Sequence, residues 1–175
     1  MQYRRTDIKG ACYFFTINLS DRKCHLLIDK VDELREVINR VKRKHPFKLD
    51  ALVIMPEHFH MIITLPDNDK DYSKRIMLIK SGFSRKIPKD EKINLSRMRK
   101  RERGIWQRRY WEHFIRDEKD YESHVDYIHY NPVKHGYVTK ASDWKYSTIH
   151  KYIKLGIYDG NWGIDKQNNI KNFGE

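Results

Sequence analysis

Residues 52–65 read LVIMPEHFHMIITL, two apolar, β-branched runs separated by a short turn at Pro56. Two such runs joined by a short turn predict an antiparallel β-hairpin. Side chains two apart along a strand point to the same face, so we expect His58 and His60 on one face and Phe59 on the other. Two neutral imidazoles side by side form half of a divalent-metal site. A bare His-x-His is more often two ordinary histidines near a sheet edge.

The pattern around this hairpin predicts further strands and helices. Apolar residues at helical spacing follow Asp71, and an acidic first turn follows Asp117, whose helix is expected to end at Pro132. The predicted order is strand 11–19, helix 31–44, strand 47–54, strand 58–65, a helix from residue 71, a basic loop or partly ordered segment, strand 106–114, helix 118–130 and helix 144–157. This order indicates an α+β fold with helices packed on an antiparallel sheet.

Length and composition predict one domain. The 175 residues suffice for one well-cored domain but not for two, and we assign 1–162 to the domain and 163–175 to a C-terminal tail. Cys12 and Cys24 are too few for a disulfide framework and are expected to be reduced. The start of the chain lacks the pattern of a signal peptide, and no apolar run reaches the roughly 18 residues of a membrane helix. We therefore expect a cytoplasmic protein without a membrane-spanning segment.

The charge of the chain predicts a polyanionic partner. Thirty-six Lys and Arg against 24 Asp and Glu give a net charge of +12, which favours nucleic acid or an acidic membrane surface. Residues 84–103 carry nine basic and three acidic side chains, half of the net charge. The aromatic run 105–111 follows directly, and this mixture favours single-stranded or hairpin nucleic acid, because aromatic faces stack on unpaired bases. The alternative for 84–104 is a solvated basic loop.

Candidate DNA contacts share a long cationic or aromatic side chain near these segments. They are Arg4, Arg5, Arg97, Arg99, Lys100, Arg101, Arg103, Trp106, Arg108, Arg109 and Lys134. Arginine can contact guanine bidentately, whereas phosphate contacts only position the protein.

The helix predicted from residue 118 carries a candidate nucleophile. Tyr127 and Asn131 are four residues apart and share a helix face, whereas Val125 and Ile128 lie on a face that should bind the sheet. A tyrosine hydroxyl beside a metal can attack a phosphodiester, and the Asn131 amide could supply a third ligand. Mg²⁺ or Mn²⁺ suits these ligands. Taken alone, a tyrosine on an amphipathic helix is more often a packing residue. Two local rivals also remain open, Tyr121 and Tyr130, and spacing does not exclude the second.

Three neighbouring polar residues are assigned structural roles. Glu57 should point away from the face that holds His58 and is assigned to the turn. His113 and His124 are interpreted as structural or surface histidines.

Several motifs occur in an order that resembles one known family. They are HFH (58–60) after MPE, HVDYIHYNPVKHG (124–136), IWQRRYWEH (105–113) and DWKYST (143–148), within a region from Tyr3 to about Trp162. This pattern resembles the REP-associated tyrosine transposases, relatives of the single-tyrosine HUH transposases of small bacterial insertion sequences.

The resemblance implies a fold, a site and a substrate. The fold would be ferredoxin-like, with the nucleophile at Tyr127, metal ligands at His58 and His60, and a third ligand at Asn131, where many relatives have Gln. The implied activity is metal-dependent cleavage and joining of single-stranded DNA through a 5′-phosphotyrosine that leaves a free 3′-hydroxyl. The implied substrate is a palindromic DNA hairpin with an unpaired foot. Members of this branch tend to act as monomers, with a dimer as the alternative.

Two other functions remain as alternatives. One is a non-catalytic DNA or RNA hairpin-binding protein on the same scaffold, which would bind without the histidines or Tyr127. The other is a zinc hydrolase, which is weaker because the chain lacks a His-Glu-x-x-His helix and a cysteine cluster.

Overall fold

A four-stranded antiparallel sheet with the strand order β2-β3-β1-β4 forms the centre of the molecule. The structure is a computed structural model that describes residues 8–91 and 93–164. Its strands are β1 (Cys12–Asn18), β2 (Lys48–Ile54), β3 (His58–Thr64) and β4 (Trp111–Phe114). Its helices are α1 (Leu26–Asp29), α2 (Val31–Lys44), α3 (Tyr72–Lys86), α4 (Leu95–Arg99), α5 (Glu118–Lys134) and α6 (Ile149–Lys154), with a 3-10 turn at Ala141–Asp143. The β1-α2-β2-β3-α3-β4 order with this sheet confirms the ferredoxin-like α+β fold.

The two faces of the sheet pack against different helices. One face, with Phe59 at its centre, forms a core with apolar residues of α2 and α3. A Cβ on Gly82 of α3 would lie only 2.7 Å from a methyl of Val37 on α2, so the glycine lets these helices touch. The opposite face packs Phe14 against Val125 and neighbouring residues of α5. Helix α5 therefore lies on the face that also carries the histidines.

Most of the predicted elements are confirmed with shifts at their ends. The first three strands and α2 lie where the sequence predicts them, and Asp71 and Asp117 cap α3 and α5 through side-chain hydrogen bonds to backbone N–H groups. The basic segment is not wholly a loop, since it contains α4. The division at residue 162 stays a prediction, because 165–175 lie outside the described residues. Within the described part, no helix is long and apolar enough to cross a membrane.

Three boundary predictions are wrong. Helix α5 continues past Pro132 to Lys134, because a proline this close to the end of a helix removes one hydrogen bond, while the backbone oxygens of Asn131 and Pro132 still accept bonds from later residues. The fourth strand starts at Trp111, after a segment in which Trp106 forms an isolated bridge with Leu19, just past the end of β1. The last helix is only α6, because residues 146–148 bond the backbone of β2 instead.

Candidate active site

The two histidines of β3 lie on one buried face, as their spacing predicts. His58 and His60 have no exposed surface, and their ring centroids are 4.8 Å apart. His60 Nδ1 lies 2.9 Å from Thr16 Oγ1 of β1, and His58 Nδ1 lies 2.9 Å from Glu57 Oε1. Each ring is therefore held through Nδ1, so Nε2 is the atom through which each histidine could bind a metal. Outer hydrogen bonds of this kind orient metal-binding histidines.

The position of Glu57 corrects the sequence interpretation. Its carboxylate bonds His58 instead of pointing away, and Arg22 lies 3.4 Å from the same oxygen. Burial raises the pKa of Glu57, but the hydrogen bond and charge of His58 outweigh it and lower the pKa overall. The alternation of side chains applies within a strand, and Glu57 precedes β3 in the turn, so the rule did not apply to it. An acidic residue next to a histidine at a turn is the signal that could have identified it.

Helix α5 brings Tyr127 and Asn131 to the histidine pair. The Tyr127 ring centroid is 5.2 Å from that of His60, and Asn131 Nδ2 is 3.2 Å from His60 Nε2. Both side chains are fully buried. Lys134 Nζ donates a hydrogen bond of 3.3 Å to the Tyr127 hydroxyl and lies 5.0 Å from the centre of its ring. The phenol, the amide and the imidazoles thus form one cluster with a cation beside the phenol.

The two rival tyrosines belong to other parts of the molecule. Tyr130 packs with Ala141 in a separate apolar cluster. Tyr121 lies 3.4 Å from the hydroxyl of Tyr152 and 3.5 Å from a carboxylate oxygen of Asp50. Of the three tyrosines considered from the sequence, Tyr127 is the one whose ring contacts a histidine of the pair.

The residues present fit a divalent cation. Two imidazole nitrogens and one amide oxygen are ordinary ligands for such an ion. Asn131 presents its amide nitrogen towards His60, and a half-turn of the terminal amide exchanges that nitrogen for the oxygen. His58, His60 and Asn131 are thus suitable ligands from two different elements.

A second cluster of polar groups lies one turn earlier on α5. Ligand atoms of His113, Asp120 and His124 all fall within 4.8 Å of one another, close enough to hold a divalent metal. The two imidazole rings, however, stack at 4.5 Å with an interplanar angle of 16°. Lone pairs in parallel ring planes do not converge on one ion, so His58 and His60, whose rings cross at 75°, are the better pair.

Asp120 joins the residues of this second cluster. His113 Nε2 lies 2.8 Å from Asp120 Oδ2, which also accepts from the backbone N–H and guanidinium of Arg116. Burial raises the pKa of Asp120, but these hydrogen bonds outweigh it and lower the pKa to about 2. These contacts fit the structural role that the sequence interpretation gave His113 and His124, and that role stays a prediction.

Arg103 stabilises the basic segment from inside. It donates to the backbone oxygens of Ser84, Ile87 and Pro88 at 2.7, 3.1 and 2.7 Å and pairs with the carboxylate of Glu91. The hydrogen bond from Arg103 lowers the pKa of Glu91 to about 2. A guanidinium with four protein partners is placed to hold the chain, so we assign Arg103 a structural role in place of the predicted DNA contact.

Arg97 and Trp106 also make contacts inside the protein, although Arg97 is half-buried and both residues line a basic groove. Arg97 donates to Ser20 Oγ and to the backbone oxygens of Arg103 and Trp106. The Trp106 side chain is only 6% exposed, with the ring of Phe83 5.4 Å away. The predicted stacking of a base on Trp106 does not fit this burial, because stacking needs an accessible ring face.

The remaining basic candidates differ in exposure and contacts. Arg108 is exposed and pairs with Glu102 at 2.7 Å. Four further candidates are exposed at the surface: Arg99, Lys100, Arg101 and Arg109. Arg4 and Arg5 lie outside the described residues.

A groove of about 1300 Å³ runs between α3 and the basic segment. The basic side chains that line it include Lys74, Lys80, Arg85, Lys89, Arg101 and Arg108. It lies on the α3 side of the sheet, whereas Tyr127 lies on the α5 side. The cationic surface and the candidate catalytic cluster therefore occupy opposite faces, which the sequence did not predict.

Comparison with known proteins gives concordant matches. Residues 9–131 match the family described as "Transposase IS200 like". A REP-associated tyrosine transposase of Escherichia coli K12 is 44% identical over 94% of this chain and 92% of its own length. A Haemophilus influenzae protein whose name also assigns it to the REP-associated tyrosine transposases is 46% identical over 97% of both chains.

A solved structure agrees with these sequence matches. It is described as the REP-associated tyrosine transposase bound to a REP hairpin, has a TM-score of 0.83 and 42% identity, and matches 100% of this chain and 97% of its own. Family model, full-length relatives and fold agree, and the chain belongs to the IS200-like transposase family, among the REP-associated tyrosine transposases.

Proposed function

We propose that this protein is a metal-dependent DNA strand transferase that binds palindromic hairpins and cleaves and rejoins single-stranded DNA through Tyr127. The observation that carries the proposal is the contact of Tyr127 and Asn131 with a histidine pair whose Nδ1 atoms are both held by neighbours. The homologous transposase solved with a REP hairpin supports the choice of substrate.

The chemistry of cleavage is a transesterification at phosphorus. The Tyr127 phenolic oxygen forms a bond to the scissile phosphorus, and the bond from phosphorus to the 3′ oxygen breaks. The departing 3′ oxygen takes up one proton, which balances the one lost by the phenol, and the 5′ end remains on Tyr127 as a phosphotyrosine. Attack by another 3′-hydroxyl reverses the step and joins two DNA ends. Covalent catalysis of this kind conserves the energy of the phosphodiester for rejoining.

Two sets of side chains assist Tyr127 in this reaction. His58, His60 and Asn131 would hold Mg²⁺ or Mn²⁺, whose chemistry when bound is to polarise the scissile phosphate and offset its developing charge. Lys134 holds the Tyr127 hydroxyl by its hydrogen bond and places a positive charge next to the oxygen that becomes esterified. Because the ligands and Tyr127 are buried, DNA can reach them only after their surroundings move.

We propose the basic groove as the surface that binds the hairpin. Phosphate contacts supply much of the affinity of DNA-binding proteins and are insensitive to sequence. Lysine and arginine side chains line this groove of about 1300 Å³ and could contact the phosphates of a nucleic-acid backbone. Arg99, Lys100, Arg101, Arg108, Arg109 and Lys134 are the candidates that we retain for DNA contact.

A covalent-adduct assay tests the proposal. The wild-type protein incubated with a labelled REP hairpin and Mg²⁺ or Mn²⁺ should yield a protein–DNA adduct, with mass spectrometry locating the DNA on Tyr127. Tyr127→Phe should bind the hairpin and give no adduct, and Tyr130→Phe serves as the matched control that retains it. No adduct with wild type, or an undiminished adduct with Tyr127→Phe, would contradict the proposal. Binding without an adduct would instead favour a hairpin-binding protein without this chemistry.

A further inference from the structure

The groove and Tyr127 lie on opposite faces of the sheet. A DNA strand can pass from the groove on the α3 side to Tyr127 on the α5 side around the sheet edge at β2 or at β4. The outer side of β2 is covered by residues 146–148, which bond its backbone. Among the described residues, no strand pairs with the outer side of β4. Of these two edges, the one at β4 is therefore the less covered among the described residues.

Two consecutive aromatic residues lie on opposite sides of this edge. Tyr110 lines the groove and packs against Phe15 on the α3 side, with the ammonium of Lys80 5.7 Å from its ring centre. Trp111 lies on the α5 side, where its ring meets Phe14 edge-on at 5.7 Å. Tyr110 thus lines the groove, and the next residue, Trp111, lies on the side of the sheet that carries Tyr127.

Trp111 is close to the reaction centre and is accessible. Thr16 of β1 is paired with His60 on one side and with Trp111 on the other, so the three residues form one row across the sheet. Two strand spacings separate Trp111 from His60, a backbone distance of about 10 Å. Trp111 is 38% exposed, and a distance of this size corresponds to a few nucleotides of single-stranded DNA.

The tryptophan ring packs against a column of aromatic rings that favours one orientation. It lies parallel to the ring of His113, at 5.7 Å and 4°, and His113 in turn stacks on His124. Asp120 binds His113 and holds this column of rings to α5. A ring that is already oriented loses little conformational entropy on binding, which favours stacking of a further flat group.

We propose that Trp111 is a stacking platform for an unpaired base of the DNA strand that runs from the basic groove to Tyr127. The base lies within a few nucleotides of the scissile phosphate, and every base has a π-face that such a platform accepts. The inference rests on the proposed function for its substrate. It gives this role to Trp111, whose ring is more accessible than that of Trp106.

Fluorescence of 2-aminopurine tests this assignment directly. The probe is a REP hairpin with 2-aminopurine at each unpaired position of its foot in turn. Wild type should quench the fluorescence at one or two adjacent positions, Trp111→Phe should retain part of the quenching, and Trp111→Ala should abolish it. Trp111→Ala should also bind the footed hairpin about 5- to 100-fold more weakly, as expected for one lost stacking contact, and a hairpin without a foot about equally well.

Leu155→Ala is the matched control, because Leu155 is an exposed apolar residue on another part of the surface. Thermal unfolding and binding of the footless hairpin show that each variant is folded. Unchanged quenching and affinity in Trp111→Ala, while wild type forms the Tyr127 adduct, would overturn the inference and leave the proposed function standing. Quenching that depends on Trp111, without any adduct from wild type, would support the platform and contradict the proposed chemistry.

Discussion

His58 and His60 each use Nδ1 to bind a neighbour, Glu57 in one case and Thr16 in the other. The lone pair of Nε2 on a histidine held in this way points in a fixed direction. The histidine side chain has already lost its rotational freedom on folding, so metal binding does not have to order it. The carboxylate of Glu57 also favours the tautomer with the proton on Nδ1 of His58. The proposed metal binding would therefore depend on Glu57 and Thr16, which do not touch the ion.

The first prediction concerns this carboxylate. Glu57→Ala should weaken Mn²⁺ binding about 10- to 100-fold, because loss of an outer hydrogen bond leaves the His58 ring less well oriented and less basic. Isothermal titration calorimetry measures the affinity without any DNA. Glu36→Ala, which removes a carboxylate from an exposed ion pair, should bind Mn²⁺ like wild type. Equal affinities for all three proteins would show that Glu57 does not orient His58.

The second prediction concerns acid stability through Asp120. Its pKa is lowered to about 2 in the folded protein, against about 3.9 in an unfolded chain, so the folded state binds fewer protons between these values. The stabilisation is complete above about pH 4 and is lost as the pH falls towards about 2. The side chain is only 8% exposed, and the contribution at neutral pH is about 2 kcal/mol.

Urea unfolding at several pH values measures this contribution. The free energy of unfolding of wild type should exceed that of Asp120→Asn near pH 6, and the difference should shrink as the pH falls from about 4 to about 2. If the difference stays constant across that range, protonation of Asp120 does not change the free energy of unfolding.

At the scale of elements, the basic segment 84–104 is more ordered than its composition suggests. Arg103 connects the end of α3 to the chain that follows it, and α4 lies within the connection. The exposed cations of this segment are therefore presented from a supported loop, and their positions depend on an internal arginine.

The third prediction separates the two kinds of arginine. Arg103→Ala should make residues 88–102 more susceptible to limited trypsin digestion, because three backbone oxygens lose their donor. Arg99→Ala removes the same charge and one trypsin site from an exposed position, so digestion elsewhere in the segment should stay at the wild-type rate. A separate measurement tests Arg99 for DNA contact. If Arg99 contacts a phosphate, Arg99→Ala should lower the slope of log hairpin affinity against log salt concentration by about 1.

Sequence periodicity predicted the elements that bury a regular apolar pattern. The hairpin around His58 and helix α2 follow from alternation and helical spacing, and their ends agree within a residue or two. The pattern did not predict the pairing of 146–148 with β2 or the late start of β4, because both depend on partners distant in sequence. Pro132 was misleading because the rule against proline applies to helix interiors more strongly than to last turns.

For the candidate site too, local sequence patterns were predictive and contacts between distant residues were not. The residues proposed for catalysis were identified from motifs whose spacing the fold preserves, and His60, Tyr127 and Asn131 do meet. The partners that hold the histidines were not predicted, since Thr16 reaches His60 only through strand pairing. The roles of Trp106 and Trp111 depend on where the chain enters β4, which composition does not determine.

At the scale of the whole molecule, charge and chemistry lie on different faces of one sheet. The groove beside α3 carries cations, and the cluster beside α5 carries the candidate nucleophile. Affinity for the hairpin and the rate of cleavage should therefore respond to different substitutions.

The fourth prediction is a steep salt dependence of hairpin binding. For about six phosphate contacts, affinity should fall about 10³-fold between 50 and 200 mM salt. Fluorescence anisotropy with the Tyr127→Phe variant measures binding free of any covalent product. A flat response would show that the groove does not bind the phosphate backbone.

Strand β3 is hydrogen-bonded on both sides, by β1 and by β2. Its amides can exchange with deuterium only when the centre of the sheet opens, so residues 59–63 should exchange most slowly, and those of α5 sooner. The histidines lie on the strand that opens last, and the tyrosine lies on a helix that can detach earlier. On gentle warming the protein should consequently lose DNA cleavage first, while the histidine pair on β3 is still in place.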